Sequence, residues 1–135
     1  MAAATARGSR ASALLTGGQL LLLGGDFGDA ESHGRAALEE FRATGDTRGT
    51  GLVLQVLGNA ALQAGDLVQA RALHAEAVLH LRDADSPGVI RSLVQLALVA
   101  CELGDTGSAR TTIAEFEALG LARGDSYALA AGLYE

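Results

Sequence analysis

The amino-acid sequence predicts an all-α fold, an α-solenoid of stacked helix hairpins, and three observations support this prediction. Leucine and alanine, which favour helices, are abundant in a chain of 135 residues that is 49% hydrophobic. Residues that favour strands are scarce, with three Phe, two Tyr and no Trp. A Gly-Asp-x-x-x-Ala segment occurs three times at nearly equal intervals. Because a period of roughly 40 residues is typical of stacked helical repeats, we expect residues 1–135 to form a single repeat domain.

The repeated segment begins at Gly25, Gly65 and Gly104, and the residues around it are repeated as well. A leucine stands eleven residues before each of these glycines, and a glycine or alanine stands seven residues before. The residues aligned in this way are Leu14 and Gly18, Leu54 and Gly58, and Leu93 and Ala97. This agreement predicts three repeats, near residues 11–45, 46–85 and 86–122.

Within each repeat the spacing predicts two helices that pack against each other. In the central repeat a single helical stripe carries Leu54, Leu57, Ala61 and Ala64. Gly58 and Ala70 are small where the two helices are expected to cross closely. Gly65 can adopt the left-handed conformation that ends a helix, and Asp66 can cap the helix that follows. We therefore expect the repeat glycines in the hairpin turns.

Seven helices are expected in chain order. Their predicted ranges are residues 11–24, 27–43, 48–64, 67–83, 87–103, 106–119 and 125–135. The fifth helix is expected to begin at Ser86 and Pro87, because serine is a good N-cap and proline fits the first turn of a helix. The seventh helix is expected to be the first helix of a partial fourth repeat.

This seventh helix carries Leu129, Leu133 and Tyr134, for which the following sequence offers no second helix. The end of a solenoid exposes an apolar face unless a polar helix caps it. We therefore expect that the chain is a fragment of a longer protein, or that two copies form a homodimer through the C-terminal helix.

The repeated residues resemble the tetratricopeptide repeat, whose helix pair carries W-x2-L-G-x2-Y followed by A-x3-F. Leu57, Gly58 and Ala70 match this pattern. The residues in place of the later aromatic are Gly34, His74 and Ile113. The period, longer than the usual 34 or so, is similar to that of repeats in large bacterial regulators, notably the LuxR-type and antibiotic-regulatory ATPases.

This resemblance implies a protein-interaction or regulatory sensing module within a larger bacterial transcriptional regulator. The partner would be a protein, a peptide or another domain of the same chain, bound on the concave face that the first helices of successive pairs line. The predicted binding residues on that face are Gln19, Gln55, Asn59, Gln63, Arg91 and Glu102. Several apolar residues lie between them, among them Leu15, Leu22, Leu52, Leu62, Val94, Leu98 and Cys101. They leave an alternative open, a stand-alone helical-repeat protein that holds a small apolar ligand in the groove, with or without catalysis.

The charged residues exclude several classes of chemistry. Ten basic against sixteen acidic side chains give a net charge of −6, which argues against direct binding to nucleic acid. All ten basic residues are arginines, so lysine-dependent catalysis is excluded. His33, His74 and His80 lack the spacing of a metal site, and Cys101 has no nearby histidine. We expect no enzyme activity, no cofactor and no bound metal.

The location expected from the sequence is the cytoplasm. A single cysteine forms no internal disulfide, so the fold does not require an oxidising compartment. No apolar run reaches the roughly 18 residues that a membrane span needs. We therefore expect no membrane partner.

Overall fold

A computed structural model of the protein describes residues 2–123, and this part of the chain contains α-helices and no β-strand. The helices are α1 (Ala2–Leu23), α2 (Phe27–Thr44), α3 (Thr47–Gln63), α4 (Leu67–Asp83), α5 (Val89–Glu102) and α6 (Thr106–Arg123). Helices α1 and α2, α3 and α4, and α5 and α6 pack as pairs, and α2 with α3 and α4 with α5 join one pair to the next. The predicted all-α stack of hairpins is confirmed. The predicted helix at 125–135 lies outside the described residues.

The turns inside the pairs are made by the repeat glycines, as predicted. Gly25, Gly65 and Gly104 have φ angles of 82°, 81° and 78°, a region that glycine enters without steric cost. The aspartate after each glycine caps the next helix, and Asp66 accepts a hydrogen bond of 3.0 Å from the backbone N–H of Gln69. The Gly-Asp pair therefore ends one helix and begins the next.

The boundaries of three helices differ from those predicted by two or more residues, and one of these differences is that α6 extends to Arg123 rather than ending at residue 119. Helix α1 begins at Ala2 rather than at residue 11. The prediction missed its first turns because they contain alanine and small polar residues instead of an apolar stripe. Helix α5 begins at Val89 rather than at residue 87. The N–H groups of Val89 and Ile90 bond to the carbonyls of Ser86 and Pro87, three residues earlier, so the segment is a tighter turn. The Ser86 hydroxyl accepts from the Gly88 N–H at 3.2 Å instead of capping α5.

The close approach between α3 and α4 involves a residue other than the one predicted. A Cβ atom placed on Gly58 would lie 2.6 Å from the imidazole ring of His74. Ala70 packs instead in a cluster with Ala61 and Val99. The His74 ring therefore fills the space that the missing Gly58 side chain leaves, which the sequence did not predict, and the expected contact between Gly58 and Ala70 stays a prediction.

Ion pairs join the second helices of successive pairs at equivalent positions. Arg42 of α2 lies 3.3 Å from Glu76 of α4, and Arg82 of α4 pairs with Glu115 of α6. In the repeat alignment the two arginines are equivalent to each other, and so are the two glutamates. Because all four side chains are exposed by about half, each pair adds little stability.

A third link between second helices lies at the start of α6, where Asp105 has two functions. Its carboxylate accepts from the backbone N–H of Ser108 at 3.1 Å and from the guanidinium of Arg71 in α4 at 2.7 Å. The hydrogen bond from Arg71 is the main cause that lowers the pKa of Asp105 to about 2. Asp105 therefore stays charged at neutral pH, caps α6 and ties it to α4.

Candidate functional site

The first helices of the three pairs form a depression, here named the inner groove, with a volume of about 610 Å³. Its lining residues are Thr16, Gln19, Leu20, Leu22, Leu23, Phe27, Leu52, Gln55, Val56, Asn59, Leu62, Gln63, Arg91 and Gln95. Except for Phe27, they come from α1, α3 and α5. The inner groove thus combines amide side chains with leucines.

Five of the six predicted binding residues lie along the inner groove, and Glu102 does not. Glu102 is the last residue of α5 and the repeat equivalent of Gln63. It is exposed where the described residues provide no further first helix beside it. Binding by any of the six residues remains a prediction.

Gln55 has a structural function that its sequence position did not reveal. Its side chain is 8% exposed. Its amide nitrogen donates to the carbonyl of Gly88 at 2.7 Å and to the hydroxyl of Ser92 at 2.8 Å. Both amide hydrogens are therefore used to hold α5 against α3, so Gln55 shapes the inner groove and has no free donor for a ligand.

Asn59 lies one helical turn after Gln55 and differs from it in the hydrogen bonding of its amide group. Its amide oxygen is buried and has no hydrogen-bond partner among the described residues. A buried acceptor without a partner costs about 1–3 kcal/mol. A ligand N–H group would recover part of that free energy if the Asn59 side chain rotated to bring this oxygen to the surface of the inner groove.

Arg91 is the one charged residue that lines the inner groove. It is exposed, and no ion pair among the described residues includes it. The chain as a whole carries a net charge of −6. A positive charge without a partner in an acidic protein favours a ligand that carries a carboxylate beside Arg91.

Two of the three histidines form hydrogen bonds within their own helices, and the third lies in the core. His33 and His80 each bond through Nδ1 to a backbone carbonyl four residues earlier. His74 is 1% exposed, and neither ring nitrogen has a partner among the described residues. Burial lowers the pKa of His74 to about 4, so the ring is neutral at pH 7. Within residues 2–123 no three His, Cys, Asp or Glu residues are placed to hold a metal ion.

A second depression, here named the end groove, lies between α5 and α6 and has a volume of about 420 Å³. Its lining residues are Leu93, Val94, Ala97, Leu98, Cys101, Ile113, Phe116, Glu117 and Leu121. Val94, Leu98 and Cys101, which were expected among the apolar residues of the concave face, line the end groove rather than the inner groove. Leu15 is also not in the inner groove, since it is 8% exposed and belongs to the core.

Sequence reasoning missed the end groove, although a signal for it was present. Ile113 and Phe116 are large apolar residues on the last predicted hairpin, at repeat positions that must face a following helix.

No helix formed by the described residues has both the length and the apolar character that crossing a bilayer requires.

Comparison with known proteins supports the fold. No protein-family model matches the chain, and no curated protein sequence does. Among solved structures, the TPR domain of Arabidopsis FLU is similar, with a TM-score of 0.76 and 19% sequence identity. The similarity covers 83% of this chain and 95% of that domain. The predicted tetratricopeptide-like α-solenoid is thereby confirmed as the fold.

Proposed function

We propose that the protein is an interaction module whose inner groove binds an extended segment of a partner protein. The observation that supports this most is that Gln19, Asn59, Gln63 and Arg91 lie along one groove built by three successive first helices. An extended peptide offers N–H and C=O groups at every residue, and amide side chains can pair with both.

The lining of the inner groove favours a peptide over a small apolar molecule. Leu20 and Leu23 are 62% and 86% exposed at the rim, and they can bury apolar side chains of a ligand. The buried oxygen of Asn59 and the charge of Arg91 would gain nothing from an apolar molecule. A segment with an apolar residue, a free backbone N–H and a carboxylate satisfies all three features.

The setting that we propose is a larger bacterial transcriptional regulator, in which the module senses a peptide or a neighbouring domain. The repeat period of roughly 40 residues supports this setting, because it is longer than the usual tetratricopeptide period and resembles that of the helical repeats in such regulators. Occupation of the inner groove would shift the packing of α1, α3 and α5, and α4 and α6 would follow because α3 packs on α4 and α5 on α6.

A peptide-display selection on the purified protein tests this proposal. We expect enriched peptides to carry a carboxylate and to bind Arg91→Ala or Asn59→Ala about tenfold more weakly, which corresponds to about 1.4 kcal/mol. Arg48→Ala is the matched control, because Arg48 is an exposed arginine in the first turn of α3 that does not line the groove. Peptides that bind all three variants as tightly as the original protein would contradict the proposal.

A further inference from the structure

The lining of the inner groove changes from apolar to polar between its two ends. At the α1 end, Leu20 and Leu23 are 62% and 86% exposed, and Phe27 is part of the same lining. At the α5 end the lining residues are Arg91 and Gln95, neither of which is apolar. A segment that lies along the inner groove therefore meets different chemistry at its two ends.

The repeat alignment shows that these features are not shared by all repeats. Leu23 is exposed, and so are its equivalents, Gln63 in α3 and Glu102 in α5, so α1 alone has an apolar residue at this position. At the position of Arg91, α3 has Leu52. The exposed leucine and the positive charge therefore distinguish the α1 end from the α5 end.

The α5 end suits a single carboxylate. The residues that line the inner groove include one charged side chain, that of Arg91, and no Asp or Glu, so a carboxylate meets no like charge in this lining. Arg91 is the third residue of α5, where the helix dipole adds positive potential. One guanidinium can hold one carboxylate through two parallel hydrogen bonds.

The distance between the two ends sets the length of the bound segment. The axes of packed helices lie about 10 Å apart, so α1 and α5, with α3 between them, are separated by about 20 Å. Leu20 and Leu23 are equivalent to positions 99 and 102, which lie on average about 14 Å further along α5 than Arg91. The diagonal between the ends is therefore about 24 Å, which an extended chain spans in about seven residues.

We propose that the inner groove selects a linear motif in its partner, an extended segment in which two residues lie about seven positions apart. One is a large apolar residue bound by Leu20 and Leu23, and the other is an aspartate or glutamate bound by Arg91. The motif rests on the proposed function, because it specifies which extended segment the inner groove binds. Between the two anchors the segment crosses α3, where Asn59 and Gln63 line the groove.

The carboxylate of the motif belongs to a side chain within the segment. Arg91 is exposed, so a side chain that projects from the segment can reach its guanidinium while the backbone stays over the groove. A C-terminal carboxylate is the competing source of the same charge, and the experiment separates the two sources.

A display library in which the C-terminus of each peptide is fused to the carrier tests the motif, because the carboxylates offered are then side chains. Each peptide carries one leucine and one glutamate, at separations from about three to about eleven residues. We expect enriched peptides to keep both residues at separations of about six to eight. Shortening the separation in an enriched peptide to about four should weaken binding about tenfold or more, because the segment no longer spans the groove.

Matched changes in the protein and in the peptide identify the contacts. Leu23→Ser should weaken binding of an enriched peptide about tenfold, and it should not affect the same peptide with its leucine replaced by alanine. Arg91→Ala should behave in the same way toward the glutamate and its replacement by glutamine. Leu79→Ser, at a 65% exposed leucine of α4 outside the groove, is the control for Leu23→Ser. Because both leucines are exposed, both variants should keep the helical circular dichroism of the original protein.

The other outcomes separate the failure of the motif from the failure of the proposed function. Peptides that Asn59→Ala and Arg91→Ala weaken, but that bind at every separation or bind Leu23→Ser unchanged, would overturn the motif and leave the proposed function intact. Peptides insensitive to all of these variants would overturn both. A synthetic peptide that binds with a free C-terminus, and not when it is amidated, would assign the carboxylate to a chain terminus and overturn the motif as stated.

Discussion

The central helix pair, α3 and α4, and the last pair, α5 and α6, have the same repeat positions and opposite surroundings. The central pair is packed between the first pair and α5, whereas the last pair has a neighbouring pair on only one side among the described residues. The central crossing places the ring of His74 on Gly58, and its equivalents, Ile113 and Ala97, line an open groove. This difference indicates that the stacking of the next pair, more than the residue type, decides how deeply a repeat position is buried.

The largest expected effect is a clash at the central crossing. Gly58→Val should lower the free energy of unfolding by about 3 kcal/mol, a loss within the range measured for overpacked cores. The reason is that a Cβ atom at position 58 would lie 2.6 Å from the His74 ring. Ala97→Val, at the equivalent position beside the end groove, should cost less than about 1 kcal/mol. Urea denaturation followed by circular dichroism measures both values. Equal losses would show that the two crossings are packed alike.

The next effect depends on pH and arises from His74. Its pKa is lowered from 6.5 to about 4, so between these values the unfolded chain binds a proton that the folded chain does not. The free energy of unfolding should therefore decrease as the pH falls from about 6.5 to about 4, by up to about 3 kcal/mol in total. His74→Phe should remove this contribution, which denaturation curves of both proteins across that pH range would reveal.

The reciprocal variant Ile113→His is the control for the His74 experiment. It places the same ring at the equivalent exposed position of the last pair, where solvent keeps an imidazole near its ordinary pKa. NMR titration of the two rings should give clearly separated values. A strongly lowered value at position 113 would instead show that this position is shielded from solvent.

A smaller effect is expected to be equal in the two pairs. Ala70 and Ala109 are 0% and 3% exposed, so this repeat position is buried in both pairs. Ala70→Leu and Ala109→Leu should each lower the free energy of unfolding by about 2 kcal/mol, through overpacking. Unequal melting midpoints would mean that the difference between the pairs extends beyond the face that meets the next repeat.

The smallest expected effect concerns the link between α3 and α5. Gln55→Val introduces the residue type that the last pair has at this position, Val94, and removes the hydrogen bonds to Gly88 and Ser92. We expect a loss of about 1 kcal/mol, typical of one or two neutral hydrogen bonds. Gln63→Val is the control, since Gln63 is exposed and its loss should change stability by less than about 0.5 kcal/mol. A Gln55→Val protein as stable as the original would show that the link contributes nothing.

Much of the fold could be predicted because its turns are encoded locally. Gly65 and Asp66 require no knowledge of distant residues to end one helix and begin the next, and the same pair recurs in register. The crossing at Gly58 could not be predicted, because a small residue shows that something approaches closely but not which side chain does. His74 lies four residues after Ala70, and both positions are on one helix face.

The candidate site was predictable in position and less so in function. The register of α3 and α5 placed Asn59 and Arg91 on the correct face of their helices. The same register could not show that Gln55 is held by Gly88 and Ser92. Gly88 lies in the turn before α5 and Ser92 in the first turn of α5, and the path of both depends on the i to i+3 bonds after Ser86. Pairing of polar groups across repeats is a tertiary property, so it separates residues that sequence alone treats as alike.

The ion pairs along the second helices are directional, because each joins an arginine of one pair to a glutamate of the next. The position of Glu76 is occupied by Ala36 in the first repeat, and the position of Arg82 is occupied by Leu121 in the last. If a second molecule stacked head to tail on the first, Leu121 would meet Ala36, and no ion pair would form across the junction. Head-to-tail contacts join two different surfaces of the molecule, and they generate open filaments when the rotation between copies does not close a ring. The absence of charge at both positions therefore means that a head-to-tail contact of this kind would lack the ion pair found between successive pairs.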